Sequence, residues 1–136
     1  MEDRYLFKAK FDDSDRWAKG QLVEANNTYF IIQNHASKIL SGWFSASNVV
    51  EVKKDTICQC TGLKDKNGNL IWENEIIKSI CGIAVVVWDK SEWRIKWVKD
   101  NIWRKDLHFW VNDENEYGVE VIGNIFDNPE LLEVGE

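Results

Sequence analysis

The sequence has one proline, one methionine and two histidines, and no apolar run near the ~20 residues that a membrane-spanning helix requires. A helical membrane span is therefore not expected. The opening Met-Glu-Asp-Arg has neither the basic nor the apolar region of a secretory leader, so the expectation is a chain that stays in the cytoplasm where it is made. Cysteine is scarce and odd in number: there are three, and Cys58 and Cys60 stand too close in sequence for a stabilising staple. Reduced thiols in a reducing compartment fit that usage best. Bases are outnumbered, 17 Lys and Arg against 23 Asp and Glu, giving a net charge of -6. That balance disfavours a generic nucleic-acid binder, because phosphate neutralisation by Lys and Arg supplies most of such affinity.

The charge is unevenly spread. From Val111 to Glu136 there are eight acids (Asp113, Glu114, Glu116, Glu120, Asp127, Glu130, Glu133, Glu136) and no Lys or Arg. Removing those eight from the 23 acids leaves 15 against 17 bases, a net +2 for residues 1 to 110. What the chain has in excess is tryptophan, eight in 136 residues. Large aromatics give a small core area that few residues otherwise bury; the sharper alternative is an aromatic binding surface.

Short alternating runs with frequent turns predict a mainly β protein. Tyr5, Phe7, Ala9 and Phe11 alternate with Leu6, Lys8 and Lys10, the period of a half-buried strand. Residues 17 to 24 and "TYFIIQ" at 28 to 33 form a hairpin about Asn26-Asn27, since Asn tolerates left-handed backbone. Residues 34 to 48 are expected to be irregular, with His35 in an exposed loop, and "NVVEV" at 48 to 52 to be a short strand. Residues 82 to 98 read as a hairpin about Asp89-Lys90-Ser91, and 117 to 126 as the last strand. Residues 100 to 110 fit helix or strand. Pro129 opens a single helical turn. Little helix and many turns imply a small coiled sheet or barrel.

Two motifs carry a resemblance. "QCTGLKDKNGNLIWENEIIK" at 59 to 78 and "EVIGNIFDNPELLE" at 120 to 133 resemble the signatures of the YopX family of phage and prophage proteins; the aromatic strand and Trp17-x-x-Gly20 fit it more loosely. The resemblance implies a coiled, partly bifurcated sheet over residues 1 to 57, then a small SH3-like β-barrel over 58 to 136, the two packing as one unit or as two. It implies no catalytic residue to carry over. The chain departs from the family pattern at Asn74-Glu75, where Gly-Asp is usual, and at Cys58 and Cys60, where Gly and an aromatic residue are usual.

Within the first motif Asp65, Asn67, Gly68 and Asn69 invite a calcium loop, but Gly68 falls at the fourth position rather than the sixth and Ile76 stands where the bidentate acid belongs. A structural turn at Asp65, Asn67 and Gly68, with Asn67-Gly68 at its type I′ corner and Asp65 capping it, is the better reading. Glu73 and Glu75 are expected to be solvated turn residues rather than an acid–base pair. Cys58, Cys60, Cys81 and His108 are the one soft-metal set, but Cys-x-Cys is tighter than zinc spacing, so small buried apolar roles are expected. His108 is expected to be partly buried. No metal or cofactor is implied.

The functional weight falls on "KSEWRIKWVKDNIWRK", residues 90 to 105, with six bases against two acids and Trp93, Trp97 and Trp103 interleaved. A single-stranded nucleic-acid site combines a basic groove with aromatic platforms, and here would use Trp93, Arg94, Lys96, Lys99, Trp103, Arg104 and Lys105. Alternation points the other way, because it sends Trp93, Ile95 and Trp97 to a core face and Arg94 and Lys96 to solvent. The expectation is thus a non-enzymatic protein acting through protein contacts, with a host or phage partner or as a homo-oligomer, and with the nucleic-acid module as the alternative.

Overall fold

The computed structural model describes residues 5–33, 48–111 and 118–133, so the expectations for residues 34 to 47, His35 among them, lie outside the described residues. The chain divides into two compact units, Met1–Cys60 and Thr61–Glu136.

In the first unit β1 (Phe7–Lys10), β2 (Trp17–Ala25), β3 (Thr28–Gln33), β4 (Val49–Glu51) and the start of β5 (Cys58–Lys64) form an antiparallel sheet in the order β4-β3-β2-β1-β5. The β2–β3 corner is Asn26-Asn27, both left-handed with φ of 54° and 64°, as the asparagines predicted. Ala9, Ala18, Ile31 and Val52 are its buried centre. Small residues there let the strands approach: a Cβ on Gly20 would lie 2.0 Å from the Ile32 carbonyl oxygen. One expectation fails here. β1 is buried on both faces, not one, because Lys8 and Lys10 set their ammonium groups 4.8 Å and 5.6 Å from the Trp17 ring centre. Their aliphatic stems are buried while the charge rests on an aromatic face. Cys58 and Cys60, two apart on β5, are both buried, and Cys58 Sγ lies 3.2 Å from the Thr56 carbonyl oxygen.

In the second unit β5 ends beside β6 (Leu70–Trp72). There follow β7 (Glu75–Ser79), β8 (Gly82–Asp89), β9 (Glu92–Trp97), a short helix α1 (Leu107–Val111) and β10 (Glu120–Asn124). The last four strands make an antiparallel sheet in the order β10-β7-β8-β9. Among the described residues this sheet is open, with β10 and β9 as its edges, and no barrel closes. The core under it joins Ile71, Ile77, Ala84, Val86, Ile95, Trp97, Leu107, Trp110 and Val119. Residues 100 to 110 thus resolve into a loop and the helix, which buries Leu107 and Trp110 and turns His108 outward. The burial expected of His108 is not found: helical spacing puts positions 107 and 110 on one face and leaves 108 on the other.

The turn between β5 and β6 is not the expected type I′ corner. Gly68 N donates to Asp65 O at 3.0 Å, and only Gly68, with φ of 85°, is left-handed; Asn67 is not. The asparagine-first corner gives way because Asp65 takes over the loop. Its Oδ1 accepts from Asn67 N at 2.9 Å and Asn69 N at 2.8 Å. Its Oδ2 accepts from Val121 N, on β10, at 3.0 Å. Burial alone would push the Asp65 carboxyl up, but these three backbone donors, with the Asn69 side chain, outweigh it and hold it below the usual aspartate range.

Glu75 corrects a second expectation. Instead of standing in solvent it is 8% exposed, and its Oε1 accepts from Trp72 N at 2.8 Å across the β6–β7 turn. Asn74 within that turn is left-handed, φ 69°, a conformation that asparagine tolerates, so the turn closes without the glycine that the resemblance leads one to expect.

A charged acceptor with buried donors is worth about 1.5–3 kcal/mol, so Asp65→Asn is expected to lower stability by that order at neutral pH. Because the folded carboxyl titrates below the unfolded one, its contribution is full above about pH 4 and is lost as pH falls through the folded value. Urea midpoints of the two proteins should therefore differ at pH 7 and converge at the acid end.

Candidate docking cleft on the β8–β9 hairpin

The register of β8 and β9 sorts the Trp-rich stretch by face. Ala84 opposes Trp97, Val86 opposes Ile95 and Trp88 opposes Trp93, whereas Val85 opposes Lys96 and Val87 opposes Arg94. The first set turns to the core: Ile95 and Trp97 are 3% and 7% exposed, and Trp93 packs half-buried against the cluster. Trp97 meets Trp110 edge to face with ring centres 5.5 Å apart. Its indole N–H is the buried side-chain donor without an acceptor among the described residues, a cost of roughly 1–3 kcal/mol set against that packing. The core face ends before the strands do. Trp88 and Trp93, 5.0 Å apart and edge to face, carry the aromatic stripe to the hairpin tip, where Trp88 is 55% exposed.

The outward face and the chain after β9 enclose a cleft of about 700 Å³. Lys90, Arg94, Lys96 and Lys105 line it with Asp89 and Asp100, four bases against two acids, and Val87 and Val98 give it an apolar floor. Of the seven residues named for nucleic-acid contact, the structure thus gathers Arg94, Lys96 and Lys105 around one cavity. Trp93 does not line it, although Trp88, directly opposite on β8, does. Lys99, Trp103 and Arg104 lie along the exposed chain after β9, Trp103 being 53% exposed and its neighbour Ile102 96%.

Not every base is equally available. Arg104 forms a two-pronged pair with Asp106, with Nε to Oδ1 and Nη2 to Oδ2 both 2.9 Å, and its guanidinium lies 4.5 Å from the Phe109 ring centre. Trp110 Nε1 donates to the Arg104 carbonyl at 2.9 Å, so this arginine anchors the loop to the helix. Arg94 Nη1 donates to Glu92 at 2.9 Å. Lys90, Lys96 and Lys105 are exposed. The chain also covers part of the β9 edge: Ile95 N donates to the Lys105 carbonyl at 2.8 Å, and Arg94 bridges to Asp106. A partner entering the cleft meets side chains rather than a bare row of backbone groups.

Sequence reasoning missed Trp88. Its signal was present, since it lies across the hairpin from Trp93, but the alternation that buries Ile95 and Trp97 gives no sign of where the core stops. The soft-metal candidates do not converge; among the described residues no group of three His, Cys, Asp or Glu is placed to share an ion.

The pattern of the YopX protein family matches residues 7–133. The chain is also similar to a solved structure, protein EF1440 from Enterococcus faecalis, with 22% identity and a TM-score of 0.55 over 93% of this chain and 96% of that one. At that identity the likeness speaks to the fold. No curated protein matches the chain.

The tip itself is strained. Lys90 and Ser91 are both left-handed, φ 54° and 64°, where Asn and Gly are preferred. Ser91→Gly is expected to raise stability by about 0.5–1 kcal/mol while leaving the lysines in place, seen as a higher urea midpoint at unchanged slope.

Proposed function

The chain belongs to the YopX protein family, and from that premise and the hairpin cleft we propose a non-catalytic binding protein that docks a protein partner against β8–β9. The supporting observation is the pairing of exposed Trp88 with a cleft lined by Lys90, Arg94, Lys96 and Lys105. Tryptophan and arginine are enriched at the energetic hot spots of protein interfaces, the one offering large area and the other directed hydrogen bonds. Our reading, drawn from the resemblance of the two motifs, is of a phage or prophage protein working in the bacterial cytoplasm. We read the second unit as an open variant of an SH3-like barrel, its curvature introduced by the bulge between Val121 and Gly123 on β10.

A second reading, single-stranded nucleic acid in the same region, draws on exposed Trp103 among Lys99, Arg104 and Lys105. Its weakness is that Arg104 is already committed to Asp106 and Phe109.

The two readings part experimentally. With a photo-reactive residue in place of Lys96, discrete protein adducts are expected in the bacterial cell, reduced at least about tenfold by Trp88→Ala but not by substitution of exposed Lys19; adducts indifferent to Trp88 would sink the protein reading. For nucleic acid, a labelled oligothymidylate should bind at low salt, lose affinity steeply as salt rises, and be lost on Trp103→Ala. Flat anisotropy at low salt removes that alternative.

A further inference from the structure

The four-stranded sheet carries opposite charge at its two edges. β9 and β10 are its outermost strands. Beyond β9 lies the basic cleft. Beyond β10 the chain enters the acidic C-terminal end, which makes a 3-10 turn over Pro129–Leu132. Asp127, Glu130 and Glu133 are all exposed, Glu130 within that turn, Asp127 just before it and Glu133 as its C-cap. Asn124 fixes this arrangement: its Oδ1 accepts from Phe126 N and Asp127 N, both at 2.9 Å, and Asn128 Oδ1 returns a contact to Asn124 N at 3.1 Å. The acidic ridge is thus held on ordered backbone.

Neighbouring strands stand about 4.8 Å apart, so three spacings put β9 and β10 roughly 14 Å from each other across the sheet. That exceeds the ~8 Å screening length of physiological salt, so one molecule's cleft and ridge barely sense each other. Each is complementary to the other on a neighbouring molecule.

We propose that the occupant of the cleft is a second copy of this chain, whose Asp127–Glu133 ridge docks against Lys90, Lys96 and Lys105. The inference rests on the reading of the cleft as a protein-docking face. Charge complementarity favours this occupant, because the chain itself supplies an exposed acidic partner for the basic cleft. Because the donated and accepting surfaces differ, the contact is head to tail and leads to rings or open chains rather than a two-fold dimer. The backbone covering on the β9 edge makes the contact one of side chains, so it is salt-sensitive.

The test is sedimentation velocity on the full chain over a concentration series. At low salt the wild type is expected to assemble, and to return to monomer at about 1 M salt, where the screening length is about 3 Å. Lys96→Glu with Lys105→Glu, and separately Glu130→Lys with Glu133→Lys, should each weaken assembly at least about tenfold. An equimolar mixture of the two reversed proteins should restore it, since each then offers what the other lacks; unchanged far-UV dichroism shows that the variants are folded. A wild type monomeric at every concentration, a reversed protein that still assembles, or a mixture that stays monomeric overturns the proposal. If the wild type is monomeric while the Lys96 adducts still depend on Trp88, this occupant falls and the docking face stands.

Discussion

Most of the second unit hangs on one carboxylate. Asp65 accepts two backbone donors from its own loop and one from Val121, a residue 56 positions away. The third bond ties the carboxylate that organises the β5–β6 turn to β10. The neighbouring backbone follows the same line, with Lys66 N donating to Val119 O at 2.9 Å and Ile125 N to Asn74 O at 3.1 Å. The two stretches that mark the family, around residues 59 to 78 and 120 to 133, are therefore two halves of one clasp. Their Asp, Asn and Gly residues are explained by backbone geometry. Gly123 makes the point from the other side: a Cβ there would lie 2.5 Å from Asn128 Oδ1, so the close return of the C-terminal turn requires glycine.

Elements whose geometry is set locally were legible in the sequence. Alternation located the strands, Asn26-Asn27 and Asp89-Lys90-Ser91 located hairpin corners, and Pro129 opened its 3-10 turn. What escaped was set by distant partners. Asp65 looked like a corner residue because Val121 cannot be seen from residue 65. Glu75 looked solvated because its acceptor role for Trp72 N depends on a turn that Asn74 makes left-handed. Lys8 and Lys10 looked like a wet face because Trp17 becomes their neighbour only when β1 and β2 pair. Barrel closure is of the same kind: it concerns strand ends far apart in sequence.

The candidate site was half legible. Composition singled out residues 90 to 105, and alternation correctly separated Trp97 and Ile95 from Arg94 and Lys96. The cleft became visible only with the loop after β9 in place, since Lys105 reaches Ile95 through a backbone bond that no spacing rule anticipates. Trp88 joins the site because the hairpin outruns the core beneath it.

The burial of Lys8 and Lys10 has an electrostatic consequence. A formal count credits residues 1 to 110 with two more bases than acids. Yet both of those ammonium groups rest over Trp17, Arg16 lies 4.4 Å from the Phe11 ring centre, and Arg104 is spent on Asp106 and Phe109. Lys8 and Lys10 act as internal mortar over that aromatic face, whereas Arg16 and Arg104 stay exposed, held against Phe11, Phe109 and Asp106. An approaching molecule meets the lysines left at the surface, Lys90, Lys96 and Lys105 of the cleft among them, and a formal count overstates that encounter by the two buried ones.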